Sequence, residues 1–312
     1  MGKGFKVVVV EPIHSCGIEV LESYGEVVQL GLGSTWADLL RVCGDADAFI
    51  TRGFVSIPME VLEASERLKV IGVHGVGVDH IDVDFAEKRG IRIVRTPEAL
   101  TDSVAEFTVG LILSLLRKIP LADDAVRKGE WNKKYNVLVG AELMGKTVGI
   151  LGLGRIGSAV ARRLSSFNVN LVYYKRNRNI EIERLLGVNY VSFDELLRIS
   201  DIISIHTPLT SETYHMISFR EFALMKHGVY IVNTARGAII DEKALYEALV
   251  SGKVAGAALD VFESEPLNPE NPLTRLDNVI LTPHLAASCE ETLKRLAVAV
   301  AEKVIQALKE YT

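Results

Sequence analysis

The chain is short of cysteine: Cys16, Cys43 and Cys289 are the only three in 312 residues, and no two stand at CxxC spacing. That excludes a disulfide framework and a structural zinc, and it fits a reducing compartment. A basic excess is missing too. The 35 Lys and Arg are outnumbered by 40 Asp and Glu, a formal net charge of −5, so no broad positive field invites nucleic acid. The first residues, MGKGFKVVVVEP, hold an apolar run of only four valines before Glu11 and Pro12. That is too short for a signal peptide or a membrane span, and it reads as a first core strand. There is no repeat, no low-complexity tract and no linker rich in Pro, Gly or Ser. A soluble cytoplasmic protein, without metal, nucleic-acid or membrane partners, is the expectation.

What is present is apolar material, 48% of the residues, enough for one large or two medium cores. It is arranged around Thr147–Gly157, TVGILGLGRIG. Thr147–Leu151 is the kind of run that becomes a strand buried on both faces. Gly152-Leu153-Gly154-Arg155-Ile156-Gly157 follows, and then Ile156, Val160, Ala161 and Leu164 recur at helical spacing. Gly152 allows the tight turn, Gly154 lets backbone approach a pyrophosphate, and Gly157 lets the helix pack on the sheet. The open N–H groups at the helix start face the phosphates. Three glycines in six residues are weak evidence alone; a strand before, a helix after and a second strand at Asn170–Tyr174 make a dinucleotide site much the better reading.

Before this motif, strands are expected at Phe5–Val10, Val27–Leu30, Ala48–Thr51, Val70–Val73 and Ile91–Val94, alternating with helices near Gly17–Tyr24, Trp36–Val42, Pro58–Ala64 and Val83–Lys88. Thr101–Arg117 predicts a helix apolar nearly all round, opened by a Ser103–Glu106 capping box. The mixed stretch Leu121–Gly145, with Trp131 and Tyr135, reads as an arm. After the motif, strands are expected at Asn170–Tyr174, Ile202–Ile205, Tyr230–Asn233, Gly256–Leu259 and Val279–Leu281. Ser192 with Glu195, and Ser218 with Glu221, mark helix starts, and a last helix runs Ser288–Lys309 from Ser288 and Glu291. The alternation predicts an α/β protein of two doubly wound, mostly parallel sheets, with the ligand site in a cleft between them.

Four groups fall at the carboxyl ends of the later strands, the edge where open α/β sheets bind ligands. His206-Thr207-Pro208-Leu209-Thr210 reads equally well as a cofactor-lining loop or as a turn. Arg236, in Asn233-Thr234-Ala235-Arg236-Gly237, offers a planar fork to a carboxylate. Asp260–Pro266 and Thr282-Pro283-His284, read alone, are a solvated acidic loop and a structural histidine. Together they change meaning. A carbonyl accepts a hydride only if a proton reaches its oxygen; His284 is the natural donor, Glu265 would orient and charge it, and Arg236 would hold an adjoining carboxylate.

The chain resembles the D-isomer-specific 2-hydroxyacid dehydrogenase family over essentially its whole length. The resemblance is carried by GVGVDHID (75–82), GKTVGILGLGRIG (145–157), HTPLTSET (206–213), NTARG (233–237), ALDVFESEP (258–266) and TPHLA (282–286). It implies that Arg236, Glu265 and His284 are the catalytic set. It places the substrate carboxylate on the Val76–Gly77 backbone, with Arg236 and His284. Thr108, Arg155, Ile156, Thr207, Pro208, Ala235 and Asp260 fall where the family contacts the cofactor, and Thr213, Thr234 and His284 join that set. Ala286 stands where the family has a glycine and would tighten the nicotinamide pocket. The family architecture implies a flavodoxin-like substrate domain, residues 1–99 plus 285–312, a Rossmann cofactor domain, 100–284, and a homodimer formed through the latter.

An NAD enzyme usually ends the second strand of the cofactor domain with an acidic residue that binds the ribose hydroxyls. Here Tyr173-Tyr174 is followed by Lys175, Arg176, Asn177 and Arg178: three cations and no carboxylate. This predicts preference for NADP(H), with NAD(H) kept open. The basic turn is most like the glyoxylate/hydroxypyruvate reductase branch. The alternative is 3-phosphoglycerate dehydrogenase, for which Arg52 would meet a phosphate; against it, Val73 stands where some of those enzymes carry a further Arg, and no regulatory domain follows Thr312. A nucleotide-sensing corepressor is the alternative of another class, ranked low because the triad is complete.

Overall fold

The computed structural model describes residues 4–311. The chain divides into two compact units, with boundaries after Leu100 and after Ala286; the first unit takes back the segment from Ala287 onward.

In the first unit, β1 (Phe5–Val9), β2 (Gly25–Gln29), β3 (Ala48–Thr51), β4 (Val70–Val73) and β5 (Arg92–Arg95) form a parallel sheet in the order β2-β1-β3-β4-β5. Central β3 and β4 are buried along their whole length, as continuous apolar runs require. One face packs Val7, Val9, Ile50 and Val70 against Val300, Val304 and Leu308 of the last helix, while Val8, Phe49 and Ile71 pack on the other. The period-two alternation of a strand therefore feeds two separate cores.

In the second unit, β6 (Thr147–Leu151), β7 (Asn170–Tyr174), β8 (Asn189–Tyr190), β9 (Ile202–Ile205), β10 (Val229–Asn233), β11 (Val254–Leu259) and β12 (Val279–Leu281) make a seven-stranded parallel sheet, ordered β12-β11-β10-β9-β6-β7-β8. The order reverses between β6 and β9, so the glycine turn after β6 and the histidine loop after β9 lie side by side; His206 N–H donates to the Leu151 carbonyl at 2.7 Å. Again two cores form, Leu151, Ile203 and Ile205 lying on one face and Val148, Ile150 and Ile202 on the other.

Two expected helix starts are corrected. The long apolar helix begins at Pro97, not Thr101, and runs to Leu116. Ser103 is inside it and donates to the Ala286 carbonyl at 2.9 Å, while Glu106 pairs with Arg163 at 3.2 Å. A proline suits a helix's first position, and those tertiary partners take both members of the supposed capping box. This helix is long and apolar enough to cross a membrane by length and composition alone; its Ala105, Val109, Ile112, Leu115 and Leu116 are core residues of the second unit. The last helix is Glu290–Lys309, with Cys289 rather than Ser288 at its cap. At the other two starts, Ser192 accepts from the Glu195 N–H and Ser218 forms the full box with Glu221. The expected arm holds the helix Ile119–Arg127 and a 3-10 turn, Trp131–Tyr135.

Candidate active site

The glycine turn has the geometry a dinucleotide needs. Gly152 has φ +99°, and a Cβ there would lie 2.8 Å from the backbone of His206 and Thr207. At Gly157 a Cβ would meet the Gly152 carbonyl oxygen at 2.2 Å, so only glycine lets the helix Arg155–Leu164 approach its strand. A Cβ on Gly154, by contrast, would meet nothing within 4 Å: the space before the helix start is open. No side chain caps that start, and Arg155 is exposed on the first turn with Ile156 half-buried behind it. Two hydroxyls beside this turn, Thr207 Oγ1 and Ser158 Oγ, are buried without a hydrogen-bond partner. Buried hydroxyls without a partner in the chain leave hydrogen-bonding capacity that a ligand at this turn would satisfy. Together the open helix end and the orphaned hydroxyls fit a nicotinamide dinucleotide.

His206 Nε2 lies 2.8 Å from Ser204 Oγ, and burial pulls its imidazole down to about 3, so it is neutral at physiological pH. Pro208 and Thr213 shape the rest of this loop. The Thr213 hydroxyl donates to the Pro208 carbonyl at 2.7 Å and accepts from the Thr210 N–H at 2.8 Å.

Three strand ends converge next to it. After β10, buried Asn233 braces the turn by accepting from the Ala235 N–H at 3.0 Å and donating to the Arg236 carbonyl at 2.8 Å. Thr234 and Thr108 share a buried hydroxyl contact at 2.9 Å, which ties this turn to the Pro97–Leu116 helix. Gly237 then passes so close to Phe262 that a Cβ would lie 1.8 Å from its carbonyl carbon. That approach sets the Arg236 turn against the loop that carries Glu265, whose Oε1 accepts from the Phe262 N–H at 3.0 Å.

After β11 and β12, Asp260 organises the histidine loop. Fully buried, it accepts from Thr282 Oγ1 at 2.6 Å, Leu285 N–H at 2.8 Å and Ala286 N–H at 2.9 Å, while its own carbonyl takes the His284 N–H at 2.9 Å. His284 is held at φ +53°, a left-handed conformation uncommon for a side-chain-bearing residue and frequent where geometry serves function. Its Nδ1 lies 2.8 Å from Glu265 Oε2.

Burial alone would raise the Glu265 carboxyl. The hydrogen bond with His284, the Phe262 N–H and the charges of His284 and Arg236 outweigh burial and hold it below the usual carboxylate range. An ionised Glu265 only accepts, so Nδ1 carries the hydrogen and Nε2 is the ring atom left for chemistry.

The second unit therefore brings Arg236, Glu265 and His284 to one edge, with Thr108, Thr207, Thr234, Ala235 and Asp260 around them. Arg52, Val76 and Gly77 belong to the first unit, after β3 and β4 on the carboxyl edge of its own sheet. Arg52 Nη1 donates to the Pro12 carbonyl at 3.0 Å, and its guanidinium lies 5.9 Å from the Phe54 ring centroid. Buried Glu11, at the end of β1, fixes this loop by accepting from the N–H groups of Arg52, Phe54 and Val55 at 2.8, 2.9 and 2.8 Å. Glu11, Ser158 and Asn233 were given no role by the sequence reading. For Glu11 the available signal was a carboxylate standing directly after the valine run of the first strand.

Comparison with known proteins agrees with this geometry. Residues 109–286 match the model of the D-isomer specific 2-hydroxyacid dehydrogenase, NAD binding domain. The chain is 47% identical to a glyoxylate reductase of Thermofilum pendens over 97% of its own length and 91% of the relative's. It is 46% identical to a D-3-phosphoglycerate dehydrogenase of Methanocaldococcus jannaschii, over 97% of this chain and 57% of that one. Among solved structures, an NADPH-dependent glyoxylate/hydroxypyruvate reductase of Sinorhizobium meliloti, in complex with NADP and malonate, superposes with a TM-score of 0.84 at 32% identity, covering 96% of this chain and 92% of that one. The chain belongs to the D-isomer-specific 2-hydroxyacid dehydrogenase family and is an oxidoreductase.

Proposed function

We propose that this protein reduces a small 2-keto acid with NADPH: glyoxylate to the achiral 2-hydroxy acid, or hydroxypyruvate to the D-2-hydroxy acid. The observation that carries the reading is the 2.8 Å contact between His284 and an ionised Glu265, on a loop set beside Arg236. When bound, the nicotinamide supplies the hydride. Glu265 holds the imidazole by Nδ1, and Nε2 delivers the proton that the carbonyl oxygen needs as it becomes a hydroxyl. The Arg236 guanidinium takes the carboxylate next to that carbonyl and stabilises charge gathering on the oxygen. Asp260 is a positioning residue that keeps the His284 loop in place. Gly152, Gly154 and Gly157, with Arg155, Ile156 and Thr207, hold the dinucleotide; Val76, Gly77 and Arg52 serve the substrate.

NADPH is preferred in this reading because Lys175 and Arg176 leave β7 with no carboxylate among 175–178 to bind ribose hydroxyls or repel a phosphate. Arg178 contributes less, since Glu183 already engages it through two hydrogen bonds at 2.7 and 2.8 Å. A second reading, 3-phosphoglycerate dehydrogenase, is favoured by Arg52 at the end of β3 and by the 46% identity to such an enzyme. A panel of glyoxylate, hydroxypyruvate and 3-phosphohydroxypyruvate with NADPH and NADH separates them. The expected result is the highest kcat/KM for one of the first two with NADPH. Equal or better efficiency with NADH removes the cofactor preference, and a lead for the phosphorylated acid installs the second reading.

A further inference from the structure

Past the end of β7 there is an ion pair that the reading above does not use. Arg178 is committed to Glu183 and lies over the Tyr190 ring at 5.4 Å, and Tyr173 donates to the same carboxylate at 2.7 Å. Lys175 and Arg176 are the cations left to meet a phosphate on the ribose. Arg176 Nη1, however, lies 2.7 Å from Glu212 Oε2. Glu212 belongs to the loop leaving β9, which stands two strands from β7 across β6. Thr213, the next residue, pins that loop through Pro208 and Thr210, so the carboxylate is presented from a fixed backbone rather than from a long mobile segment.

The chemistry of the two anions is alike. A carboxylate and a phosphate monoester accept the same parallel hydrogen bonds from a guanidinium fork. The side chains of Arg176 and Glu212 are 76% and 70% exposed, so their mutual hold is weak and exchangeable. The carboxylate that this turn lacks in sequence is thus supplied from a neighbouring loop.

We propose that Glu212 is a cofactor-selecting residue: its carboxylate occupies Arg176 in place of the ribose 2′-phosphate, and NADPH binding exchanges one anion for the other. This rests on the NADPH reading above. With NADH the pair persists and Arg176 presents no uncompensated charge to the ribose. With NADPH, Glu212 gives up its partner and is left as a like charge near the phosphate. Glu212 thereby limits the preference for NADPH and keeps NADH usable.

A double-mutant cycle tests this, reading the NADPH:NADH ratio of kcat/KM in the wild type, Glu212→Gln, Arg176→Gln and the double variant. Glu212→Gln is expected to raise the ratio by about three- to tenfold, the effect of removing an exposed ion pair and a like-charged neighbour. Arg176→Gln is expected to lower it about tenfold, as losing a guanidinium–phosphate contact does. In the Arg176→Gln background, Glu212→Gln is expected to add less than half of its own effect. An unchanged ratio in Glu212→Gln, or the same gain with and without Arg176, overturns the proposal. A wild type that favours NADH defeats the NADPH reading, while the cycle still decides the coupling of Glu212 to Arg176.

Discussion

His284, Glu265 and Arg236 are each ordinary residues at the end of a strand; their chemistry comes from what surrounds them. The anionic state of Glu265 fixes which imidazole nitrogen carries its hydrogen, and Asp260 fixes where the ring stands. In the proposed mechanism Arg236 holds the substrate carboxylate both before and during the reaction. Arg236→Ala should therefore raise KM and lower kcat together, by about tenfold or more each, in steady-state assays with a 2-keto acid. A KM effect without loss of turnover would leave Arg236 as a binding residue only. That these three side chains lie together was legible in the sequence because the motifs around them are spaced in a family pattern. Their supports were less so. Nothing local marks Ser158 Oγ as a buried group without a partner, because burial depends on atoms far along the chain; Asn233 braces the Arg236 turn through neighbours two and three residues away, a local Asx-type pattern that was passed over.

At the scale of elements, strands were easier to read than helix starts. Buried parallel strands announce themselves as aliphatic runs, and Ala48–Thr51, Val70–Val73, Ile202–Ile205 and Val279–Leu281 fall where the composition predicts. Capping is different, since Ser103 has the right spacing to Glu106 but finds a tertiary acceptor in Ala286. A two-residue strand, Asn189–Tyr190, carries too little pattern to be foreseen. The close passage of Gly237 against Phe262 is the element-scale feature on which the site depends. Gly237→Ala would place a methyl group within the backbone of the neighbouring loop. It should destabilise the protein by at least about 2 kcal/mol and separate the Arg236 turn from the Glu265 loop. Denaturant midpoint and kcat are expected to fall together; a fully active, equally stable Gly237→Ala would show that the two loops need not approach.

Two buried imidazoles make the stability of the whole molecule depend on pH. Burial, with the charge of Arg52 added, pulls His74 down to about 4, and burial pulls His206 down to about 3, from an ordinary value near 6.5. The folded chain keeps both rings neutral as pH falls below 6.5, whereas the unfolded chain protonates them. Unfolding thus takes up protons, and stability drops from pH 6.5 toward 4, by up to about 1.4 kcal/mol per pH unit for each ring. Melting temperature should fall between pH 7 and 5, and His74→Gln should make that fall shallower. The same slope in His74→Gln would remove this histidine from the account.

The second unit also exposes apolar side chains on its arm, with Trp131 at 62% and Tyr135 at 74%. We propose this surface as the interface of the homodimer that the family resemblance implies. Light scattering should give twice the chain mass for the wild type and a single chain for Trp131→Glu with Tyr135→Glu; an unaltered mass in that variant would place the interface elsewhere.

The central claim is that His284 delivers the proton. It is tested most directly by the rate of reduced-cofactor oxidation in a single turnover, with saturating 2-keto acid, for wild type and His284→Ala across pH 6 to 8. The expected result is a loss of about 100- to 10,000-fold at every pH, the range for removing a positioned general acid. A His284→Ala rate equal to that of the wild type would contradict the account.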